Sequence, residues 1–220
     1  MFRWDITYRP TQVTGRYFYL YLFLDIFSRK IVGGPVYEAE SREWASEVMC
    51  DICARENIPP NQVVLHSDNG RPMKGATMLA TLQALGVRPS FRRPAVRNDN
   101  PYSESLFKTL KYRPTYPQQA FADLLAARQW VGTFVHGYNE EPRHSAIGFV
   151  TPTERHAGAD AALLLKRVEV YEAAKAKHPE RWSRSTRNGP PVQFVHLNPD
   201  QHVIDNGTRK ENVSELKKVA

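Results

Sequence analysis

Tyr17-Phe18-Tyr19-Leu20-Tyr21-Leu22-Phe23-Leu24 is an unbroken run of aromatic and aliphatic residues, and it reads as a strand buried on both faces. Upstream, Phe2 to Tyr8 alternates and is rich in strand formers. Downstream, Lys30 to Tyr37 reads as a third strand. The links at Thr14-Gly15 and Ser28-Arg29 are short, so the three strands are expected to form an antiparallel meander.

Beyond the meander the pattern changes period. Ser41 is placed to cap a helix running to about Glu56, whose apolar face is Trp44, Val48, Ile52 and Cys53. Asn57-Ile58-Pro59-Pro60 ends it. Val63 to His66 is a short buried strand, stopped by Ser67-Asp68-Asn69-Gly70. A helix over Gly75 to Leu85 and a strand around Pro89 to Arg92 come next. Helices are predicted over Asn98 to Lys111, Phe121 to Tyr138 and Ala159 to Lys177, the last with Leu163, Leu164, Val168 and Tyr171. Three strands, helix, strand, helix, strand and helices make an α/β chain with a mixed sheet over residues 1–150. A helical extension over 151–190 and a short strand with a polar tail over 191–220 complete the expected organisation.

Composition narrows the function classes. The chain has 220 residues, 41% hydrophobic and 24% charged, which excludes collagen, coiled coil and wholesale disorder. No apolar run approaches the roughly 18–20 residues of a membrane span. Asp5 sits where the apolar region of a signal peptide would have to start. Two cysteines make no disulfide framework, so a reducing, cytoplasmic setting is expected. Cys50 and Cys53 have redox spacing but fall inside a predicted amphipathic helix, where packing is the better reading.

The formal charge is +7, and it is unevenly spread. Residues 1–85 balance at nine against nine, whereas residues 86–113 hold seven Lys/Arg against two Asp/Glu. Residues 166–220 hold eleven against seven. Localised basic charge is either ordinary solubilising charge or the footprint of a polyanion.

Three acids stand out by position. Asp5 lies within the first strand, Asp68 at the exit of the Val63–His66 strand, and Glu104 on the helix that follows Asn98. A carboxylate inside a central strand is costly unless it is paired or holds a metal. Three of them at one end of a sheet would make an oxygen-rich cage for Mg²⁺ or Mn²⁺. Taken singly, Asp68 could merely shape its turn, and Glu104 could be surface charge.

The surrounding motifs decide between these readings. They are Phe2-Arg-Trp-Asp-Ile-Thr7, His66-Ser-Asp-Asn-Gly70, Asn98-Asp-Asn-Pro-Tyr-Ser-Glu-Ser-Leu-Phe-Lys-Thr-Leu-Lys111, and Tyr138-Asn-Glu-Glu-Pro-Arg-His-Ser-Ala-Ile-Gly-Phe-Val-Thr-Pro152. Asp68 and Glu104 are separated by 35 residues. This set resembles the catalytic core of DDE transposases of the retroviral-integrase superfamily, nearest to bacterial insertion sequences of the insertion sequence three group. His178-Pro-Glu-Arg-Trp-Ser183 is similar to a segment that follows the core in many of them.

The resemblance implies an RNase-H-like fold, a five-stranded mixed sheet flanked by helices with a small C-terminal extension. It implies Asp5, Asp68 and Glu104 as the metal-binding triad, with two Mg²⁺ ions per site when DNA is bound and Mn²⁺ able to substitute. The activity implied is DNA nicking and strand transfer by a homo-oligomer, at least a dimer, acting on transposon ends and target DNA. The setting implied is the bacterial cytoplasm, at the nucleoid.

Lys108 and Lys111 follow Glu104 at i+4 and i+7 and so share its side of the helix, where they could hold DNA phosphates or form an ordinary helix-surface pair. Arg88, Arg92, Arg93 and Arg97 extend the basic segment; Arg92, Arg93, Arg97, Lys108 and Lys111 are the expected DNA contacts. Asp25 and Asp99 are the acids not expected in the triad. His66 is expected beside the site in a packing or supporting role, His144 and Arg143 at DNA or the core's edge, and Tyr138 and Trp130 in the core. Relatives carry a DNA-recognising helix-turn-helix before the core, and nothing before Asp5 resembles one. A non-catalytic DNA-binding or oligomerising fragment is therefore the alternative. A nuclease of the same fold acting on RNA–DNA hybrids is disfavoured by the His-Ser-Ala-Ile-Gly and Thr-Pro motifs.

Overall fold

The computed structural model describes residues 1–70, 73–92, 101–117, 119–183, 186, 195 and 197. Its sheet is built from β1 (Phe2–Pro10), β2 (Tyr17–Asp25), β3 (Ile31–Gly33), β4 (Val36–Tyr37), β5 (Val64–Ser67) and β6 (Arg88–Phe91). The strand order is β3-β2-β1-β5-β6, with β4 also paired to β2. β1 is antiparallel to β2 on one side and parallel to β5 on the other, so the sheet is mixed and β1 is central.

The expected third strand, Lys30 to Tyr37, is divided into β3 and β4. Two helices approach this point from opposite faces: a Cβ on Gly33 would meet Ile52 Cδ1 at 2.7 Å, and one on Gly34 would meet Val135 Cγ2 at 3.1 Å. The pairing register of β2 shifts between Phe23 and Leu24 at the same place. The break is therefore a consequence of close helix approach, served by the two glycines.

Helices α1 (Arg42–Arg55) and α2 (Ala76–Ala84) cover one face, and α3 (Pro101–Lys111) and α4 (Leu124–Glu140) cover the other. Ser41 caps α1 by accepting the N–H groups of Glu43 and Trp44. Asp123 caps α4 through Ala126 N–H, so that helix starts later than Phe121. Trp4, Tyr21, Phe23, Met49, Ile52 and Met78 form the core under α1 and α2. Leu20, Leu22, Leu24, Leu106, Leu110 and Phe134 form the other. Cys53 is buried in the first core and Cys50 is exposed; both are free thiols.

After α4 the chain makes a 3₁₀ turn at Ser145–Ile147, then α5 (Pro152–His156) and α6 (Asp160–Lys177). Thr151 and Glu154 form a reciprocal capping box on α5. α6 buries only Asp160, so the apolar face expected from Leu163, Leu164, Val168 and Tyr171 is not a buried one. Of the expected strand at Val192 to Leu197 only Val195 and Leu197 are described, and neither is in a strand; its other residues and the tail lie outside the described residues. No described helix is long and apolar enough to cross a membrane.

Side chains finish the edge at β3 and β4. Asn139 pairs with both backbone groups of Ile31, Arg55 Nη2 donates to Val32 C=O at 2.6 Å, and Arg128 Nε donates to Val36 C=O at 3.0 Å. The opposite edge is β6, with Arg88 and Pro89 exposed.

A polar knot ties α5 to the end of β2. The Asp25 carboxylate accepts Ser28 Oγ–H at 2.7 Å and lies 3.2 Å from His156 Nδ1. His156 Nε2 is 3.0 Å from Glu56, which also takes Lys30 Nζ at 2.9 Å. Burial acts to raise both carboxyls, but the hydrogen bonds and charge of His156, Ser28 and Lys30 outweigh it and hold both below their ordinary values.

Candidate active site on the α3 face

Alternation along β1 sends Arg3, Asp5, Thr7 and Arg9 to one face, opposite Leu24, Leu22, Leu20 and Phe18 of β2. Those β2 residues belong to the core packed under α3 and α4, and α3 itself packs on β1. Asp5 therefore shares its face with the helix that carries Glu104. Arg3 and Arg9, 1% and 2% exposed, flank it along the strand. The Arg9 guanidinium stands 5.6 Å from the Tyr116 ring centre and donates to its hydroxyl at 3.4 Å. Burial lowers the Arg9 pKa and Tyr116 opposes the shift.

Asp68 arrives by a different route. β5 runs parallel to β1 with Phe2 opposite Leu65 and Arg3 opposite His66. Carried on by two residues, that register sets Asp68 level with Asp5. Asp68 Oδ1 also accepts Gly70 N–H at 2.7 Å, so it shapes its turn as well. Tyr8, which donates to Glu40 at 2.7 Å, has its pKa pushed up to about 12 by that bond, then by burial and by nearby charges that include Asp68. His66 is buried and its Nδ1 lies 2.9 Å from Ser90 Oγ on β6, a bridge between strands.

Glu104 is in the first turn of α3 and Lys108 and Lys111 are in its last; all three are exposed. Glu104 and Lys108 form no ion pair with each other. Among the described residues no three His, Cys, Asp or Glu side chains form a cluster able to hold a metal ion. The register thus directs Asp68 toward the level of Asp5, and α3 brings Glu104 to the same face of the sheet, while the three do not form a metal-holding group among the described residues.

Arg92, just past β6, is half-buried, its N–H donating to Ser67 C=O at 3.0 Å while its own carbonyl accepts from Asn69 at 3.0 Å. Arg93, Arg97, Asn98, Asp99 and Asn100 lie outside the described residues. Asp25 closes β2 opposite Phe2 and belongs to the knot with His156. Tyr138 is in the core; Trp130 is half-buried and donates Nε1–H to Thr115 C=O at 2.9 Å. Sequence reasoning missed Asn139, His156 and the buried Arg3 and Arg9. The Arg3-Asp5-Thr7-Arg9 alternation was the available signal for the last two.

A central strand with an antiparallel partner on one side and parallel strands on the other, covered by helices on both faces, defines an RNase-H-like fold of the integrase type. Residues 1–96 match one integrase core domain family and residues 85–152 a second family of the same description. Together the two matches run over residues 1–152, and over that stretch the chain is similar to integrase core domains. The transposase for insertion sequence element IS904 of Lactococcus lactis is 29% identical over 151 residues, 68% of this chain and 58% of that protein. Transposase InsF for insertion sequence IS3A of Escherichia coli is 27% identical over 151 residues, 68% of this chain and 51% of that protein. The chain spans little more than half the length of these relatives. The catalytic core domain of BIV integrase superimposes with a TM-score of 0.55 at 16% identity, over 72% of this chain and 94% of that one. The simian T-cell lymphotropic virus intasome, solved with PP2A regulatory subunit B56 gamma, gives 0.58 at 14% identity, over 91% and 59%.

Proposed function

We propose that the chain supplies the catalytic core of a DDE transposase, a polynucleotidyl transferase that nicks DNA and joins the freed 3′ end to a target strand. The observation that supports this reading is the parallel register of β1 and β5, with Arg3 opposite His66, which carried on by two residues would set Asp68 level with Asp5 on the face covered by α3. Asp5, Asp68 and Glu104 would hold Mg²⁺, or Mn²⁺ in its place, two ions when DNA is bound. The donor set is all carboxylate oxygen, which suits these hard cations. When bound, the cations would activate the attacking hydroxyl and stabilise the leaving 3′ oxygen.

Asp5 supplies its carboxylate from a rigid strand, and Asp68 from the strand exit next to it. Glu104 is exposed on the first helical turn and completes the set by changing rotamer. Arg92, Lys108 and Lys111, with Arg93 and Arg97, hold phosphates on either side of the scissile one. The DNA partners are the element's ends and its target, handled by at least two copies of the chain, in keeping with the viral relative's being an intasome. The setting is the bacterial cytoplasm, at the nucleoid. Residues 1–150 form the catalytic unit, and the helical segment to 190 is an extension of it.

The test is an oligonucleotide assay with Mn²⁺ or Mg²⁺. Weak nicking and joining with little sequence preference is expected, and Glu104→Gln should abolish it. Undiminished cleavage by that variant overturns the site. DNA binding without any cleavage by the unaltered chain favours a non-catalytic DNA-binding fragment.

A further inference from the structure

Next to the Glu104 face of α3 lies a second polar feature that the proposed chemistry does not use. It is a cavity of about 220 Å³ between α3, the end of α4 and the turn after β2. Arg29, Tyr102, Ser105, Tyr138, His144 and Ser145 line it, and among the described residues no carboxylate does.

Arg29 stands in the left-handed region at φ +67, a conformation costly for a residue with a Cβ. Its guanidinium lies 4.1 Å from the Tyr102 ring centre. Among the described residues its side chain makes no hydrogen bond or ion pair, and its Nε is sealed from solvent without a partner. A guanidinium offers five donors, and among the described residues none of them meets a hydrogen-bond acceptor.

His144 repeats the pattern. Its backbone is fixed by a bridge to Val150, and its ring lies 5.0 Å from that of Tyr138. Its Nε2 is buried with no partner among the described residues. Burial first, and then the Arg29 charge, lower the His144 pKa. The hydroxyls of Ser105 and Ser145 are uncommitted among the described residues and both residues reach solvent, so the cavity has an open rim. Convergent unpaired donors, one fixed positive charge and no acid make a receptor for an oxyanion. The volume is below the roughly 300–1,000 Å³ of sites for whole small-molecule ligands, so a single phosphate group is the fitting size.

We propose that the cavity lined by Arg29, His144, Ser105 and Ser145 binds one phosphate group, and that its source is the backbone of DNA held along α3. The choice of DNA as source rests on the proposed function, because α3 also carries Lys108 and Lys111; the phosphate chemistry does not. The site is separate from the metal-binding carboxylates and acts in grip.

Two arms test this on the full chain. In the first, inorganic phosphate is titrated in while the imidazole signals of His144 are followed by NMR, assigned with His144→Gln. Saturable binding that moves the His144 titration midpoint upward, lost in Arg29→Gln and partly kept in Arg29→Lys, is expected. Absence of a saturable shift in the unaltered chain overturns the pocket. In the second, DNA affinity is measured in EDTA. Arg29→Gln should weaken it roughly tenfold, the scale of one charge-assisted contact, and inorganic phosphate should compete. Unchanged affinity, with phosphate still bound, overturns DNA as the source and leaves a free anion. If the unaltered chain binds no DNA, the proposed function falls, and the first arm still decides the pocket.

Discussion

Asn139 holds Ile31 by both ends of its peptide: Oδ1 accepts Ile31 N–H at 2.9 Å and Nδ2 donates to Ile31 C=O at 3.0 Å. A side chain on α4 thus takes the place of a neighbouring strand for β3. The Tyr138-Asn139 pair of the sequence motif divides its work, since Tyr138 enters the core while Asn139 finishes the sheet.

Asn139→Ala should destabilise the chain by about 1–3 kcal/mol, because two buried backbone groups lose their partners together. Asn139→Asp should also destabilise it, since a carboxylate accepts but cannot donate to Ile31 C=O. Urea midpoints check this; a value for Asp equal to the unaltered chain would mean the Nδ2 bond contributes nothing.

The knot at Asp25 predicts acid sensitivity. Asp25 and Glu56 both have native pKa values below their ordinary 3.8 and 4.5. A depressed carboxyl stabilises the fold above its unfolded value, and that contribution is lost as the pH falls through the native value. Asp25→Asn should therefore cost about 2–3 kcal/mol near neutral pH, and the gap to the unaltered chain should narrow below the ordinary carboxylate range. Urea midpoints across a pH series measure it, and a gap constant with pH would assign the loss to packing.

Replacing Lys108, Lys111 or Arg92 by Ala should weaken DNA binding on all sequences. Each lost phosphate contact should flatten the plot of log affinity against log salt by roughly one unit. If affinity and slope are both untouched, this side of α3 is a solvated surface and the DNA lies elsewhere.

Asp5→Asn and Asp68→Asn should behave oppositely. With EDTA present, binding is expected to be intact or slightly tighter, because a negative charge near phosphates has been removed. Strand cleavage with Mn²⁺ should be lost. Retained cleavage in either variant would separate these aspartates from the chemistry.

Much of this architecture could be read locally. The β2 run, the Ser41 cap and the Gly75–Leu85 helix are encoded by neighbours in sequence, and they appear within a residue or two of expectation. What local reading could not supply is who approaches from elsewhere. Gly33 and Gly34 split a strand because Ile52 and Val135 press on them, and neither residue is near in sequence. Asp5 and Asp68 were visible as oddly placed acids, but their alignment depends on a register between strands more than fifty residues apart. Asp123 was a readable signal that the Phe121 start passed over. His156 carries no local signal of its role, which comes from Asp25 and Glu56 meeting it across the fold.

The two margins of the sheet have a further consequence. At β6 the N–H groups of Arg88 and Arg92 point inward to Val63 and Ser67, so by alternation position 89 faces out, and there proline has no N–H to offer. At the other margin, Asn139, Arg55 and Arg128 already occupy the groups that an incoming strand would need. Each margin thus offers an incoming strand fewer free backbone groups, which works against fibre-like growth from a protein whose core is strongly β-forming. On the proposed function, copies assembling on DNA would meet through helices and loops, where contacts can be made and released, and not by lengthening the sheet.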